Sequence, residues 1–376
     1  MRIAFIATSK IPSRTANSIQ VMKVCQAFRE LGHDIGLWVP GPSSEVDWHG
    51  LAAQYGLQER FPIHWLSTVN LLRRYDFALR AVRAARRWGA EFFYTWPLQA
   101  AALASTLGFP TLLEMHDRPH GRFGPWLFKA FLRGSGALRV YPITSALETW
   151  LSEAYRVDLN EPFSVVSPMG VDLYQYEQLP GPVEARDRLD LENRFTAGYT
   201  GHLYRGRGIN LLYELARQLK DVNFLLVGGE DESVDFWRRK AEADGVENLQ
   251  LQGFVDNAML PMYHAACDVL MMPYERAISV SSGGDTAAFA SPMKVFEYLA
   301  AGRAIISSDL AVLHEVLNDQ NAIMVPPEDL DAWSQALGTL VADPSLRTRL
   351  AERAKADSKK YTWLERAKRS IMDVKV

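Results

Sequence analysis

Glu297 is the one acid in an otherwise apolar run, SPMKVFEYLAAGRAIISS from Ser291 to Ser308, with Lys294 one turn ahead of it. Ser291 suits a helix cap, Pro292 the first helical position and Gly302 the stop before a strand over Ala304 to Ser308. A helix N-terminus presents unpaired N–H groups and the positive end of a dipole. A phosphate therefore fits near Met293 and Lys294, with Glu297 reaching for a sugar hydroxyl. Lys294 reads equally well as a solvated surface cation.

Three further segments carry chemistry. In GHLYRGRG, Gly201 to Gly208, a strand gives way to a helix. The glycines allow backbone to approach an anion, and Arg207 adds a permanent charge with a bidentate fork. Arg207 and Gly208 stand where a Walker loop needs Lys and Ser or Thr, so ATP hydrolysis does not fit, and the segment does not match GxGxxG. In LLEMHDRP, His116 follows an apolar strand and projects from its carboxyl end, while Asp117 orients the turn. The first loop, SKIPSRTANSIQ, places Ala16 and Asn17 before a helix, and Asn tolerates unusual backbone angles. Arg14 or Lys10 there is an acceptor contact or a solvated charge. Cys25 and Cys267 lie far apart in apolar surroundings, which suits reduced core thiols; no His, Asp or Cys cluster has metal-ligand spacing, so no metal is expected.

Positioning these residues takes two α/β domains. At 376 residues and 48% hydrophobic content, the chain is long for one core. The first half reads as strand RIAFIAT, a loop from Ser9 to Ser18, a helix with Ile19, Met22, Cys25 and Phe28 on one face, and strand DIGLWV. Strands over Glu91 to Tyr94, Thr111 to Met115 and Tyr141 to Thr144 follow, alternating with helices, as in a parallel sheet covered on both faces. Residues Pro168 to Pro182 break the pattern as a linker, which puts a first domain at 1–170 and a second at 171–360. The second repeats the alternation from FTAGYTG through VNFLLVGG, LQLQG, MLPMYHAA and DVLMMPY, then a loop from Ser279 to Ala290. Ligands of such sheets bind beyond the strands' carboxyl ends, where His116 and Arg207 stand.

Residues 1–170 hold 18 Lys and Arg against 13 Asp and Glu, and the remainder 23 against 31. Opposite signs on the two halves suit different partners, but the basic excess is far too small for nucleic acid. No charged and apolar leader precedes the first strand, and no run of 18 apolar residues follows, so a cytoplasmic protein is expected. Leu71 to Trp88 reads as a helix with Leu71, Tyr75, Leu79 and Val82 on one face and Arg73, Arg80, Arg83 and Arg87 on another. With GRFGPWLFKAFLRGSG, this suits peripheral contact with an anionic membrane, or an ordinary helix covering a sheet.

The Ser291–Ser308 stretch resembles the donor-site helix of the family 4 (group 1) retaining glycosyltransferases of the GT-B fold, and the likeness extends over almost the whole chain. The resemblance implies two Rossmann-like domains facing across a cleft, with the terminal segment YTWLERAKRSIMDV, within 361–376, crossing back onto the first. It implies that Glu297 binds the nucleotide ribose, that Gly253, Phe254 and Val255 face the base through backbone, and that Arg207, in the place of a Lys, holds the donor diphosphate beside Gly201. His202 stands where many relatives have Arg. His116 falls near the donor sugar and reacting centre, and Ala16 and Asn17 replace a phosphate-approaching Gly pair. Relatives often carry a second Glu eight residues before the ribose ligand; here that position is Phe289. The implied reaction transfers a sugar, with retention, from a nucleotide sugar to a glycan, lipid-linked or small-molecule acceptor, with no cofactor and no metal. A sugar-nucleotide epimerase on the same architecture and a non-catalytic nucleotide-sugar-binding subunit are the alternatives.

Overall fold

The computed structural model describes residues 1–43, 46–69, 74–277, 288–372 and 374. The chain divides into two compact units, Met1–Met169 with Trp363–Val376, and Gly170–Thr362.

The first unit is built on β1 (Arg2–Ile6), β2 (Asp34–Pro40), β3 (Ile63–Leu66), β4 (Phe92–Thr95), β5 (Thr111–Met115) and β6 (Ala137–Pro142). All pair in parallel, in the order β3-β2-β1-β4-β5-β6. The connecting helices are α1 (Ala16–Glu30), α2 (Trp48–Tyr55), α3 (Tyr75–Trp88), α4 (Leu98–Thr106), α5 (Gly124–Arg133) and α6 (Ser145–Tyr155). Helices on both faces bury the central strands completely, so β1 and β5 read as apolar runs rather than alternations.

The expected loop from Ser9 to Ser18 is shorter than its sequence suggested. The Thr15 hydroxyl accepts from Ser18 N, α1 starts at Ala16, and Ala16 and Asn17 occupy its first turn rather than an unusual loop conformation. Strand β6 starts four residues before the expected Tyr141, because a buried Arg139 inside it reads as a surface residue. Helix α3 also turns a different face inward: Phe77, Ala78, Ala81, Val82 and Ala85 are buried, while Tyr75 and Leu79 are exposed beside Arg80 and Arg83. Leu71 and Arg73 lie outside the described residues.

The second unit holds β7 (Thr196–Thr200), β8 (Asn223–Val227), β9 (Leu249–Gly253), β10 (Val269–Met272), β11 (Ala304–Ser308) and β12 (Ile323–Val325), ordered β12-β11-β10-β7-β8-β9. Counted from its own first strand, this is the topology of the first unit repeated. In both, the order reverses beside the first strand, between β1 and β4 and between β7 and β10, where doubly wound sheets open a crevice for ligands. The core between sheet and helices centres on Tyr199, Leu212, Phe224 and Trp333. Its helices are α7 (Pro182–Arg188), α8 (Ile209–Gln218), α9 (Asp231–Ala243), α10 (Leu260–Ala265), α11 (Met293–Ala301), α12 (Leu330–Ala342) and α13 (Pro344–Ser358). Part of the expected linker is ordered: Leu173–Tyr176 forms a 3-10 turn with Tyr176 buried, and α7 follows. Residues 278–287, most of the expected Ser279–Ala290 loop, lie outside the described residues.

The last helix, α14 (Trp363–Ile371), belongs to the first unit and packs on α1. Arg139 of β6 donates to the carbonyls of Arg369, Ser370 and Met372 at 2.9 Å each, so a cation covers the negative end of the helix. Among the described residues, no helix is long and apolar enough to cross a membrane.

Candidate active site

Glycines stand at the carboxyl ends of three adjacent strands of the second unit: Gly201 just after β7, Gly228 just after β8 and Gly253 as the last residue of β9. Gly201 N donates to Val227 O and Gly228 N to Gly253 O, which aligns the carboxyl ends of β7, β8 and β9. Helix α11 is pinned across the ends of β7 and β10 by the buried Tyr298 hydroxyl, which accepts from Thr200 N at 2.9 Å and reaches Met271 O at 3.4 Å. Pro292 is the N-cap of α11 and offers no side-chain cap, so Ser291 sits one residue outside the expected place; Val295 N turns back to Pro292 O at 3.1 Å, while the N–H groups of Met293 and Lys294 lead the helix without a side-chain cap. Gly302 ends the helix in the left-handed conformation.

One turn before Tyr298, Lys294 extends over the sheet end. Its Nζ lies 3.9 Å from the Tyr199 ring centre and 5.2 Å from that of Tyr274, with no hydrogen-bond partner among the described residues and almost no solvent contact. Arg207 covers Tyr274 as well, its guanidinium carbon 5.0 Å from the ring centre and its Nε unpartnered. Burial and then the Arg207 charge hold Lys294 well below the ordinary lysine value, against a smaller opposing pull from Glu297. His202 is stacked on Tyr204 at 4.6 Å, with Nδ1 3.9 Å from Glu230. Burial lowers its pKa, and Glu230 opposes this while Arg207 and Lys294 add to it, so His202 is a neutral ring. The site thus gathers two basic side chains, a neutral imidazole and a helix N-terminus, an arrangement suited to a compact polyanion.

The glycines of GHLYRGRG serve the site's own packing. A Cβ on Gly208, at φ 73°, would fall 1.7 Å from Pro273 O, and one on Gly201, at φ 137°, 2.8 Å from Lys294 Nζ. Only glycine brings α8 and Lys294 this close to the strand ends.

The first unit carries its own concavity at the corresponding reversal point, a cavity of about 510 Å³ lined by Thr8, Arg74, Trp96, His116, Arg118 and Arg122, among others. His116 Nε2 lies 2.6 Å from Glu114 Oε1. Asp117 accepts from Arg118 N at 2.7 Å and faces His120 at 2.8 Å, which occupies it in its own turn.

A family model described as "Glycosyl transferases group 1" matches residues 194–343, which lie within the second unit. The phosphatidyl-myo-inositol mannosyltransferase of Mycolicibacterium smegmatis is 25% identical, aligned over 96% of this chain and 90% of its own. Residues 194–343 are thus similar to the group 1 glycosyltransferases, and the mannosyltransferase extends a likeness to glycosyltransferases over nearly the whole chain. A D-inositol 3-phosphate glycosyltransferase from Xylanimonas cellulosilytica is 27% identical over 77% of the chain and 67% of its own length. Among solved structures, sucrose-phosphate synthase from Thermosynechococcus elongatus superposes with a TM-score of 0.73 at 17% identity, covering 97% of this chain and 96% of that one. Anabaena HepE, solved with UDP-glucose, gives a TM-score of 0.73 at 17% identity, with 98% of both chains covered. The fold is GT-B.

In this glycosyltransferase, Gly201, His202, Arg207, Lys294 and Glu297 come together, with Ser291 and Met293 at the open end of α11. Gly253 ends β9, two strands from β7, and Phe254 and Val255 follow it. Arg14, Ala16, Asn17 and His116 belong to the first unit, Ala16 and Asn17 opening α1 and His116 lining the cavity. Phe289 is buried. Tyr199 and Tyr274, whose rings carry both cations, had no separate mark in the sequence because aromatics at strand ends read as core. Glu114 and Arg366 were hidden for the opposite reason, since charged residues are seldom buried.

Proposed function

We propose that this glycosyltransferase moves a sugar from a nucleoside-diphosphate sugar to a glycan, lipid-linked or small-molecule acceptor, with retention and without a metal ion. The observation that carries the reading is Lys294: a shielded amine with no acceptor among the described residues, beside the Arg207 guanidinium on the same tyrosine ring. A buried donor left unmet is costly, and a diphosphate bridging Lys294, Arg207 and the open turn of α11 would satisfy all three. As the bond between the anomeric carbon and the diphosphate breaks, its electron pair passes to the leaving oxygen. Donors already aimed at that oxygen then gain most, because nothing must reorganise. The acceptor hydroxyl bonds the same face, and its proton passes to the leaving diphosphate oxygen.

The first unit's cavity suits the acceptor. Arg74, Arg118 and Arg122 on its wall favour an anionic group, and Phe123, just before α5, and Trp126 on that helix are exposed, which suits a lipid-linked molecule at an anionic membrane surface. The inositol-based names of two relatives fit an acceptor bearing a phosphate among hydroxyls.

Replacing Arg207 tests the reading. Arg207→Ala should lower turnover about 10²–10³-fold with a smaller loss of donor affinity, the scale of losing one preorganised oxyanion donor. Arg207→Lys should recover much of it. Parent turnover in Arg207→Ala would put the leaving-group site elsewhere.

A further inference from the structure

The Glu114 side chain, at the end of β5, is fully buried and surrounded by donors. Arg366, from α14, meets it as a fork, Nη2 to Oε1 at 2.8 Å and Nη1 to Oε2 at 3.1 Å. Gln20 Nε2 donates to Oε1 and the Tyr94 hydroxyl to Oε2. Arg366 spends its remaining N–H groups on Pro168 O at 3.0 Å, Tyr94 Oη at 3.0 Å and Ser167 O at 3.4 Å. Guanidinium, amide nitrogen and this phenol all give hydrogen to Glu114, so its oxygens have no role left but acceptance, and the group is a carboxylate. Burial alone would raise its pKa; the Arg366 charge and then the His116 contact bring it down to about 2.

His116 Nε2 faces that carboxylate at 2.6 Å, and the ring is the only partner of Glu114 among these that also lines the cavity. A nitrogen pressed against a saturated carboxylate must carry hydrogen. In a neutral imidazole the other nitrogen is then an acceptor, its identity set by the hydrogen bond behind it. We propose that Arg366, acting through Glu114, is a positioning residue that fixes His116 in the Nε2-protonated tautomer and leaves Nδ1 to accept a hydrogen bond from a hydroxyl of the molecule in the cavity. The hydroxyl belongs to a polyol or sugar, a step that rests on the proposed transferase reading; the tautomer itself does not.

The test uses the full chain labelled with 15N-histidine, with His116 assigned by its loss in His116→Gln. Long-range 1H–15N correlation spectra report which ring nitrogen bears hydrogen. The parent should show His116 protonated at Nε2. Glu114→Gln can turn a carboxamide N–H toward that nitrogen, and the proton should move to Nδ1. Arg366→Gln should give a mixture and lower kcat about 10–100-fold with little change in KM, the usual cost of losing a group that orients another. Arg366→Lys, which keeps a cation on Glu114 and guards against a folding failure, should restore the parent tautomer. A structural tie that merely anchors α14 would move none of these spectra. A parent ring protonated at Nδ1, or one indifferent to Glu114→Gln and Arg366→Gln, overturns the proposal. An inverted tautomer in Glu114→Gln with parental turnover leaves the positioning intact and removes His116 from the transfer reaction.

Discussion

Two effects compete at Lys294. The Tyr199 and Tyr274 rings favour the ammonium, whereas burial away from water disfavours it. Desolvation wins, the Arg207 charge adds to it, and the folded pKa is well below the ordinary value. A bound diphosphate favours the ammonium, so any neutral fraction of Lys294 should take up a proton on binding, and binding should weaken as pH rises. Calorimetry of a nucleoside diphosphate in two buffers of different ionisation enthalpy checks this: equal observed enthalpies would mean that no proton moves. Glu297→Ala should cost about 1.5–3 kcal/mol of nucleotide affinity, the worth of one charge-assisted hydrogen bond, without unfolding a half-buried position. Unchanged affinity would take Glu297 out of the site. Residues of this kind were legible because local marks frame them: a proline, a closing glycine and a lone acid in an apolar helix. The rings under Lys294 were not, since their role depends on a side chain brought to them by the fold from another element, 95 residues beyond Tyr199 and 20 beyond Tyr274.

At the level of elements, the sequence was clearest where strands are buried on both sides and weakest where elements are short. β1, β5, β7, β8 and β11 are apolar runs with glycine or polar punctuation, so their positions could be read within a residue or two. β3, α2, α7 and β12 were missed; β3 is an edge strand with every residue half-buried, and β12 has only three residues. Helix α3 was recognised but its inner face was misassigned, because small alanines rather than the larger Tyr75 and Leu79 meet the sheet. The exposed mixture of Tyr75, Leu79, Arg80 and Arg83 is the surface on which membrane contact should be tested. Sedimentation with anionic but not neutral vesicles, weakened by salt and abolished by Arg80→Glu with Arg83→Glu, is the expected result. Equal recovery in the supernatant would point to a soluble acceptor. The strand-to-helix turn at Gly208 makes a stricter demand: Gly208→Ala needs both a left-handed conformation and the space held by Pro273 O, so a clear fall in melting temperature is expected. A parental melting curve would show that the turn yields.

The whole molecule should be sensitive to acid for two separable reasons. His264 is buried, its nitrogens facing Tyr176 Oη at 3.2 Å and Thr200 Oγ1 at 3.1 Å, and burial with the Lys294 and Arg303 charges lowers its pKa from 6.5 to about 3. The unfolded chain protonates first, so this contribution is complete above about 6.5 and drains away as pH falls toward about 3. Glu114, lowered from 4.5 to about 2, adds a second loss below about 4.5. Chemical denaturation across that range should show stability falling in both windows, and His264→Gln should flatten the upper one. A flat parental profile would contradict both assignments.

Arg366 and Glu114 stand 252 positions apart, and the entire second unit is threaded between them. During synthesis, the first unit therefore emerges with a carboxyl group in its interior and no counter-ion until the following unit has been made. It can collapse early but cannot close. Stopping the chain at Thr362 would leave that carboxyl stranded, a defect of about 3–5 kcal/mol when one partner of a buried pair is missing. Completion of the first unit is thus a late event that depends on an intact downstream chain, and interrupted products should be the ones that quality control can recognise.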